Sequence, residues 1–344
     1  MKYLSQLQPG KLKDKICLLR LDFNTEDNWR LEASLPTIKF LAKNCKAVVI
    51  LSHKGRPNDF ENSLSLRPVA KTLSKFLKRT VVFAPHFRFL EIRDLVRASP
   101  KGSIFLLENL RFLSGEAEDS SALAEHLAML GDIYVNDAFA VSHRANASVT
   151  AITEFLPSYA GFELEAEIKN LSKVMKSPKK PLAVILGGSK IEDKLSVYEN
   201  LKKKADIFLI GGALTEPLLK KLKSYQKVLL PSAVKMENGL VQDIDGETVK
   251  LFCQAISQAK TILWNGPVGN IDKSKYRSAT RTIARCVAEN KKAFKIVGGG
   301  ETVMFLKKLK LDKQINFIST GGGAMLDFLA GKKLPGLQAL NYYD

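Results

Sequence analysis

The sequence predicts an α/β protein of two three-layer domains, each on a mainly parallel sheet, joined by a long helix. Three observations predict it. Short apolar runs alternate with longer segments of helical period along the whole chain, the pattern in which crossover helices connect parallel strands. The 344 residues, at about 150 per domain, suffice for roughly two cores. The second half repeats this alternation with its own punctuation, most of its apolar runs closing on glycines.

In the first half, ICLLRLDFN, AVVILSH, TVVFAP, SIFLLEN and DIYVNDAF read as strands. In LRPVAKTLSKFLK, Leu66, Val69, Ala70, Leu73, Phe76 and Leu77 recur at three- and four-residue steps, one buried stripe with lysines opposite. SSALAEHLAML follows the same logic behind serine caps. In SYAGFELEAEIKNLSKVMKSPKKP, Leu164, Ile168, Leu171, Val174 and Met175 share a helical face, and Pro178 and Pro181 stop it. This is the expected connecting helix, with the domain boundary near residue 160. LAVILGG, IFLIGG, KVLLP, TILWNGP, FKIVGGG and NFISTGGG are the strands of the second half.

Composition narrows the function. With 45% hydrophobic and 26% charged residues the chain can build cores. No apolar run is long enough to span a bilayer, and the N-terminal segment lacks a signal-peptide layout, so a cytoplasmic protein is expected. Cys17, Cys45, Cys253 and Cys286 are far apart and without CxxC spacing, which predicts reduced core thiols and neither zinc nor disulfides. The net charge of +18 favours anionic partners: nucleic acid, anionic lipid or phosphorylated small molecules.

Ligands of open parallel sheets bind beyond the carboxyl ends of the strands. There the first half carries Asp22 and Asn24, then His53 and Arg56, Arg111, and His143 with Arg144, with Arg30 close behind the first strand. Any one arginine reads equally well as a surface charge, but the set suits carboxylate and phosphate oxygens. The second half offers backbone donors at Gly187-Gly188, Gly211-Gly212, Gly298 to Gly300 and Gly321 to Gly323, suited to a polyphosphate. No P-loop or dinucleotide fingerprint is present. In ILGGSKIEDKLSVYENL the Ser189/Glu192 spacing predicts a capping box, with Lys190 in the first helical turn and Lys194 one turn on. Two ammonium groups beside a glycine loop ask for an anion between them. Nothing resembles a nucleophile with its base, which suits phosphoryl transfer by positioning and charge neutralisation.

At these residues the sequence closely resembles the phosphoglycerate kinases. RLDFN, WRLEASLPTIKFL, SHKGRP, ENLRF, VNDAFAVSHRANAS, AVILGGSKIEDK, WNGPVG, KIVGGGET and STGGGA stand in the family's order across nearly the whole chain. The resemblance implies two Rossmann-like domains closing by a hinge, and reversible transfer of the acyl phosphate of 1,3-bisphosphoglycerate to ADP, giving 3-phosphoglycerate and ATP with Mg²⁺. It implies that Asp22, Phe23, Asn24, Arg30, His53, Lys54, Gly55, Arg56, Arg111, His143 and Arg144 hold the phosphoglycerate. Arg30 and Lys190, helped by the amides of Gly299 and Gly323, would neutralise the phosphoryl group in flight. Lys194, Gly211, Gly212, Gly299, Gly300, Glu301 and Thr302 would serve the nucleotide, Asp272 its ribose and Glu301 the metal. The implied division is 1–160 with the tail 331–344 for phosphoglycerate and 161–330 for nucleotide, in a cytoplasmic monomer with no membrane or specific nucleic-acid partner.

The departures cluster on the nucleotide side. Several dozen residues are missing relative to the family, mostly between IFLIGGALTEPLLKKL and LLPSAVKMENG, and the loop after RLDFN is trimmed. Ala213 replaces a glycine, Glu301 an Asp, Asp272 a Glu and Met325 a serine. Asp245 stands where the family has a glycine flanking the adenine, which raises an altered base preference, tested with GDP. Two alternatives accompany the kinase reading: a phosphoglycerate-binding protein with weakened or altered nucleotide use, and nucleic-acid binding driven by the charge. Against the latter, Lys202 to Lys204, Lys220, Lys221, Lys223, Lys307, Lys308 and Lys310 read as solvated helix faces, and no nucleic-acid module appears.

Overall fold

The computed structural model describes residues 1–25, 28–214 and 227–344. Lys220, Lys221, Lys223 and most of the shortened segment lie outside the described residues, as does the side chain of Ala213. The chain forms two compact units, Met1–Ala166 with Lys333–Asp344, and Glu167–Lys332.

The first unit is built on six parallel strands: β1 (Ile16–Arg20), β2 (Ala47–Leu51), β3 (Val81–Ala84), β4 (Ser103–Leu107), β5 (Ile133–Asn136) and β6 (Ser158–Ala160). Their order is β3-β4-β2-β1-β5-β6. Helices cover both faces, so alternate residues of one strand enter different cores. Cys17 and Leu19 join Val48, Ile50 and Leu106 in one, while Leu18 joins Val49, Phe105 and Leu107 in the other. This explains why the strands read as unbroken apolar runs. The C-terminal segment belongs to this unit: Gly336 N–H donates to Ser142 O at 2.9 Å, and the Met1 amine donates to Asn341 O at 2.6 Å.

The second unit repeats the plan with β7 (Leu182–Leu186), β8 (Ile207–Ile210), β9 (Val228–Leu229), β12 (Thr261–Asn265), β13 (Phe294–Gly298) and β14 (Phe317–Ile318), in the order β14-β13-β12-β7-β8-β9. An antiparallel hairpin of β10 (Val234–Glu237) and β11 (Leu240–Ile244) stands apart from the sheet. The sequence gives no sign of β6 or of the hairpin. β6 is three residues long, and β10 carries one apolar pair among charged neighbours. The expected connecting helix runs from Phe162 to Lys176.

The cysteine expectation is corrected in part. Cys253 and Cys286 form a disulfide, their Cα atoms 5.5 Å apart across 33 residues of sequence. They lie on helices Gly246–Gln258 and Ser278–Glu289, which pack side by side. A crossover strand separates them in sequence, so spacing could not reveal the pair. Cysteine usage therefore gives no support to a reducing compartment. Cys17 and Cys45 are buried thiols. Burial pushes Cys45 up to about 12, and Cys17 also well above its ordinary value.

Candidate active site

In the first unit, the residues beyond β1, β2, β4 and β5 converge. Asp22 Oδ2 accepts from Arg30 Nη1 at 2.7 Å, and its Oδ1 lies 3.8 Å from His53 Nδ1. Arg30 stands in the first turn of helix Trp29–Asn44, its guanidinium 5.4 Å over the Trp29 ring. Asn24 Oδ1 accepts from Gly55 N–H at 2.9 Å. Arg111 donates to Gly55 O, while Asn109 takes Lys54 N–H and donates back to Lys54 O at 2.7 Å. The loop His53 to Arg56 is thus held from both sides. Arg144 Nε donates to His143 Nε2 at 3.2 Å. Phe23 sends its side chain into the core and its N–H to Ser52 Oγ at 3.1 Å.

Beneath this rim lie two charged residues that sequence reasoning missed. Arg20 and Glu116 are each 1% exposed and 3.6 Å apart. Arg20 Nε donates to Ser148 Oγ at 2.7 Å, and Ser148 donates to Glu116 at 2.6 Å. Arg20 Nη2 lies 3.3 Å from His53 Nδ1. An arginine inside the otherwise apolar ICLLRL was the available signal, since a buried charge is kept only where it is paired.

The electrostatics record the convergence. His53 is held well below its ordinary value, first by burial and then by Arg20, Arg111, Arg144 and Arg30, so the ring is neutral at pH 7. Burial and the neighbouring Arg144 and Arg20 push Arg111 down to about 10. Burial and then Arg56 lower Arg144. Guanidinium groups that depress one another form a site built for an anion.

In the second unit, Gly187 N–H donates to Asn265 O at 3.0 Å and Gly188 N–H to Pro267 O at 2.8 Å, locking the loop after β7 to the loop after β12. A Cβ on Gly187 would fall 2.1 Å from Pro267 O, so only glycine permits this approach. Lys194 is buried and donates to Gly187 O. Burial pushes it down to about 8, with Glu301 pulling upward and Lys190 adding to the depression. Helix Ile191–Leu201 begins one residue later than a Ser189 cap requires: Lys190 is the N-cap, and no side chain caps that end. The left-handed Gly188, at φ +79, turns the chain so that Ser189 is exposed and the expected capping box does not form.

Helices Gly300–Lys308 and Gly323–Leu329 start at the same place, the first behind Gly299 at φ +92. Together with Lys190 and Lys194 they frame a cavity of about 270 Å³, lined also by Asn265, Glu301 and Thr302. The buried Thr302 Oγ1 has no hydrogen-bond partner among the described residues.

The remaining second-unit residues fall outside this cavity. Gly211 packs on Val268, and Gly212 backs onto Gly188 N; both support the loops rather than line the cavity. Asp272 is exposed and also away from it. Asn265 went unpredicted; its Nδ2 lies 3.7 Å from Sδ of the buried Met325, which fills the space beside Gly298. Asp245 caps helix Gly246–Gln258, accepting from Glu247 N–H and Thr248 N–H at 2.9 Å each.

Comparison with known proteins decides among anion-handling enzymes. The phosphoglycerate kinase family model matches residues 7–230 and 221–332. The chain belongs to the phosphoglycerate kinase family. Phosphoglycerate kinase of Thermosipho africanus is 38% identical, with 96% of each chain covered, and that of Dictyoglomus turgidum 35% identical, with 98% of each covered. Among solved structures, phosphoglycerate kinase from Coxiella burnetii matches with TM-score 0.82 at 31% identity, covering 99% of this chain and 98% of that one. The Pyrococcus horikoshii enzyme matches with TM-score 0.87 at 28% identity and the same coverage. Family membership makes the chain a kinase of glycolysis, built as its relatives are on two parallel-sheet α/β domains. The T. africanus alignment runs over 384 positions, more than the 344 residues present, so the relative carries insertions that this chain lacks. The two stretches of the family match overlap at 221–230, inside the region of the expected shortening.

Proposed function

We propose that the chain carries out the full reversible reaction, transferring the acyl phosphate of 1,3-bisphosphoglycerate to ADP, with the phosphoglycerate on the first unit and the nucleotide on the second. The observation that supports it is a division of labour. One unit carries a cluster of guanidinium groups around a neutral histidine, and the other a glycine-lined cavity with two ammonium groups and three helix N-termini.

In this reading Asp22, Asn24, His53, Lys54, Gly55, Arg56, Arg111, His143 and Arg144 hold the phosphoglycerate, with Phe23 contributing main chain. Arg30 is fixed by Asp22 at one nitrogen, while its buried Nε has no partner. It is therefore the guanidinium to place against the phosphoryl group in flight. Lys190 and the amides of Gly299 and Gly323 neutralise that group from the nucleotide side. Lys194, Gly300, Glu301 and Thr302 take the nucleotide phosphates, Gly211 and Gly212 support their loop, and Asp272 serves the ribose. A clamp of this kind needs no protein nucleophile, since the carboxylate and the nucleotide exchange the phosphoryl group between themselves. Water is excluded when the two ligand sites close on each other by a hinge.

The residues fit Mg²⁺ delivered with the nucleotide. No cluster of three or more metal-binding side chains occurs among the described residues, and Mg²⁺ is ordinarily held by one or two carboxylates plus substrate phosphates. Glu301 is the carboxylate available in the cavity. The metal would neutralise charge on the nucleotide phosphates. The reading includes a cytoplasmic monomer, tested by sedimentation. The central test is a coupled assay: ATP formed from 1,3-bisphosphoglycerate and Mg·ADP is the expected result. Folded protein that binds 3-phosphoglycerate yet forms no ATP would reduce the reading to a binding protein.

A further inference from the structure

The strands that carry the nucleotide loops have a second set of ends. The N-terminal ends of β12 and β13 and the segment leading into β7 frame a separate cavity of about 400 Å³, lined by Lys179, Lys260, Lys291 and Lys292. Lys173 completes the ring, its ammonium 4.7 Å over the Phe294 ring. A five-residue strand spans about 16 Å, so this cavity and the glycine loops lie at opposite ends of the same sheet.

Elsewhere on this unit, some exposed lysines find carboxylates. Lys180 meets Asp206 at 3.0 Å, Lys332 meets Asp327 at 2.6 Å, and Lys273 and Lys275 share Glu237. None of the five cavity lysines has an acidic partner among the described residues, and no carboxylate lines the cavity.

Lysines are also common at helix C-termini, where they meet free carbonyls. Here that work is done by groups other than the five cavity lysines: Lys204 donates to Met175 O and Lys295 Nζ to Ala288 O at 3.3 Å. Asn290 Nδ2 donates to Ile256 O at 2.7 Å and Ala259 O at 2.9 Å, and Thr261 Oγ1 donates to Lys179 O at 2.7 Å. Five lysines therefore border one concave space, Lys291 and Lys292 also bordering a neighbouring cavity beside Glu289, and like charges gathered around a concave space raise a positive potential that an anion would relieve.

We propose that this cavity is a second anion site that binds a compact, free polyphosphorylated ligand. Five point charges around one half-open space call for several phosphate groups on a small molecule. A nucleic-acid strand is the poorer fit: the one aromatic face in the cavity is covered by Lys173, which leaves no stacking platform, and no arginine fork is present. The site is independent of the reaction assigned above, because none of its residues lines the nucleotide cavity.

Inorganic tripolyphosphate is the probe, titrated calorimetrically into the full chain at fixed ionic strength and without metal. Three proteins are compared: the unmodified chain, the cavity triple variant Lys260→Gln/Lys291→Gln/Lys292→Gln, and a control, Lys307→Gln/Lys308→Gln/Lys313→Gln, that removes equal charge from the same unit. One binding component should weaken at least tenfold in the cavity variant and persist in the control, while the cavity variant keeps unchanged kcat/KM in the coupled assay. The single variant Lys292→Gln should show a partial loss, so the proposal stays testable if the triple variant folds poorly. Equal weakening in both triple variants would reduce the effect to the general field of the chain and overturn the proposal. So would undiminished binding in the cavity variant, or displacement of tripolyphosphate from these lysines by a single-stranded oligonucleotide.

Discussion

On the proposed reading the two units meet the same problem, an anionic ligand at the carboxyl ends of a parallel sheet, with different materials. The first unit uses side chains: Arg30, Arg111 and Arg144 around His53, resting on the buried Arg20–Glu116 pair. The second uses backbone, its glycines pressed against each other's carbonyls, with one buried lysine behind them. The difference teaches where each site is vulnerable. A side-chain site fails when a charge loses its partner, whereas a backbone site fails when an atom is added.

The largest expected effect tests the first half of that contrast. Glu116→Gln leaves Arg20 buried without its counter-charge, and removing one partner of such a pair typically costs about 3–5 kcal/mol. Denaturant unfolding should show a loss of that size, with 3-phosphoglycerate affinity reduced as well. A loss under 1 kcal/mol would mean that Ser148, His53 and the Leu21 carbonyl suffice for Arg20. Next comes Arg30→Ala, which removes one donor from the developing charge. The expected fall in kcat is about 10²–10³-fold, the usual worth of a preorganised donor, with a stability loss of about 1–3 kcal/mol because the largely buried Asp22 carboxylate loses its 2.7 Å partner. An unchanged kcat would remove Arg30 from the transition state.

The second unit answers to a different perturbation. Gly187→Ala adds a Cβ that would lie 2.1 Å from Pro267 O, so the loop must shift. Overpacking of this kind costs about 1–3 kcal/mol, and Mg·ADP affinity should fall while 3-phosphoglycerate affinity does not. Equal loss of both ligands would erase the contrast between the units.

A smaller effect follows from Lys194, lowered by burial to about 8. An anion in the cavity favours its charged form, so ADP binding should take up a proton. Affinity should drop by up to tenfold per pH unit above about 8. The stability sign is opposite: the unfolded lysine binds its proton up to its ordinary 10.5, so the unfolded state carries more protons between about 8 and 10.5. Stability contributed by this group therefore rises with pH across that window. Lys194→Met should flatten both profiles, and profiles unchanged by that substitution would assign them to another group.

How much of this was legible in the sequence follows the same division. Arginines, histidines and glycines at strand ends name themselves, because a parallel sheet makes strand ends into sites, and the apolar runs reveal the sheets because helices bury both faces. What stayed hidden depended on partners distant in sequence or on a single backbone angle. The Cys253–Cys286 bond joins two residues 33 apart in sequence, on separate helices. Glu116 pairs with Arg20 across most of a domain. The Ser189 cap fails because Gly188 takes φ +79, which no spacing rule encodes. Asn265 stands in WNGP, where the glycine and proline beside it mark a turn and no spacing rule singles out the asparagine.

Asp245 is where sequence and structure pull furthest apart, and it carries the smallest prediction. Read against its family, this carboxylate stands where a glycine flanks the adenine and suggests altered base packing. In the fold, it is occupied otherwise. Against the push of burial, hydrogen bonds from Thr248, Ala233 and Glu247 hold it well below the usual carboxylate range. Both oxygens are engaged, Oδ1 by Glu247 N–H and Thr248 N–H and Oδ2 by Ala233 N–H at 3.1 Å. A carboxylate so tied is a helix cap first. Asp245→Ala should cost about 1 kcal/mol, the ordinary price of a lost N-cap, and Asp245→Gly somewhat less. Neither should change the ratio of ADP to GDP turnover in the coupled assay. A tenfold gain in ADP preference on Asp245→Gly would show that the carboxylate reaches the base after all, and that the backbone-built site had been retuned by a side chain.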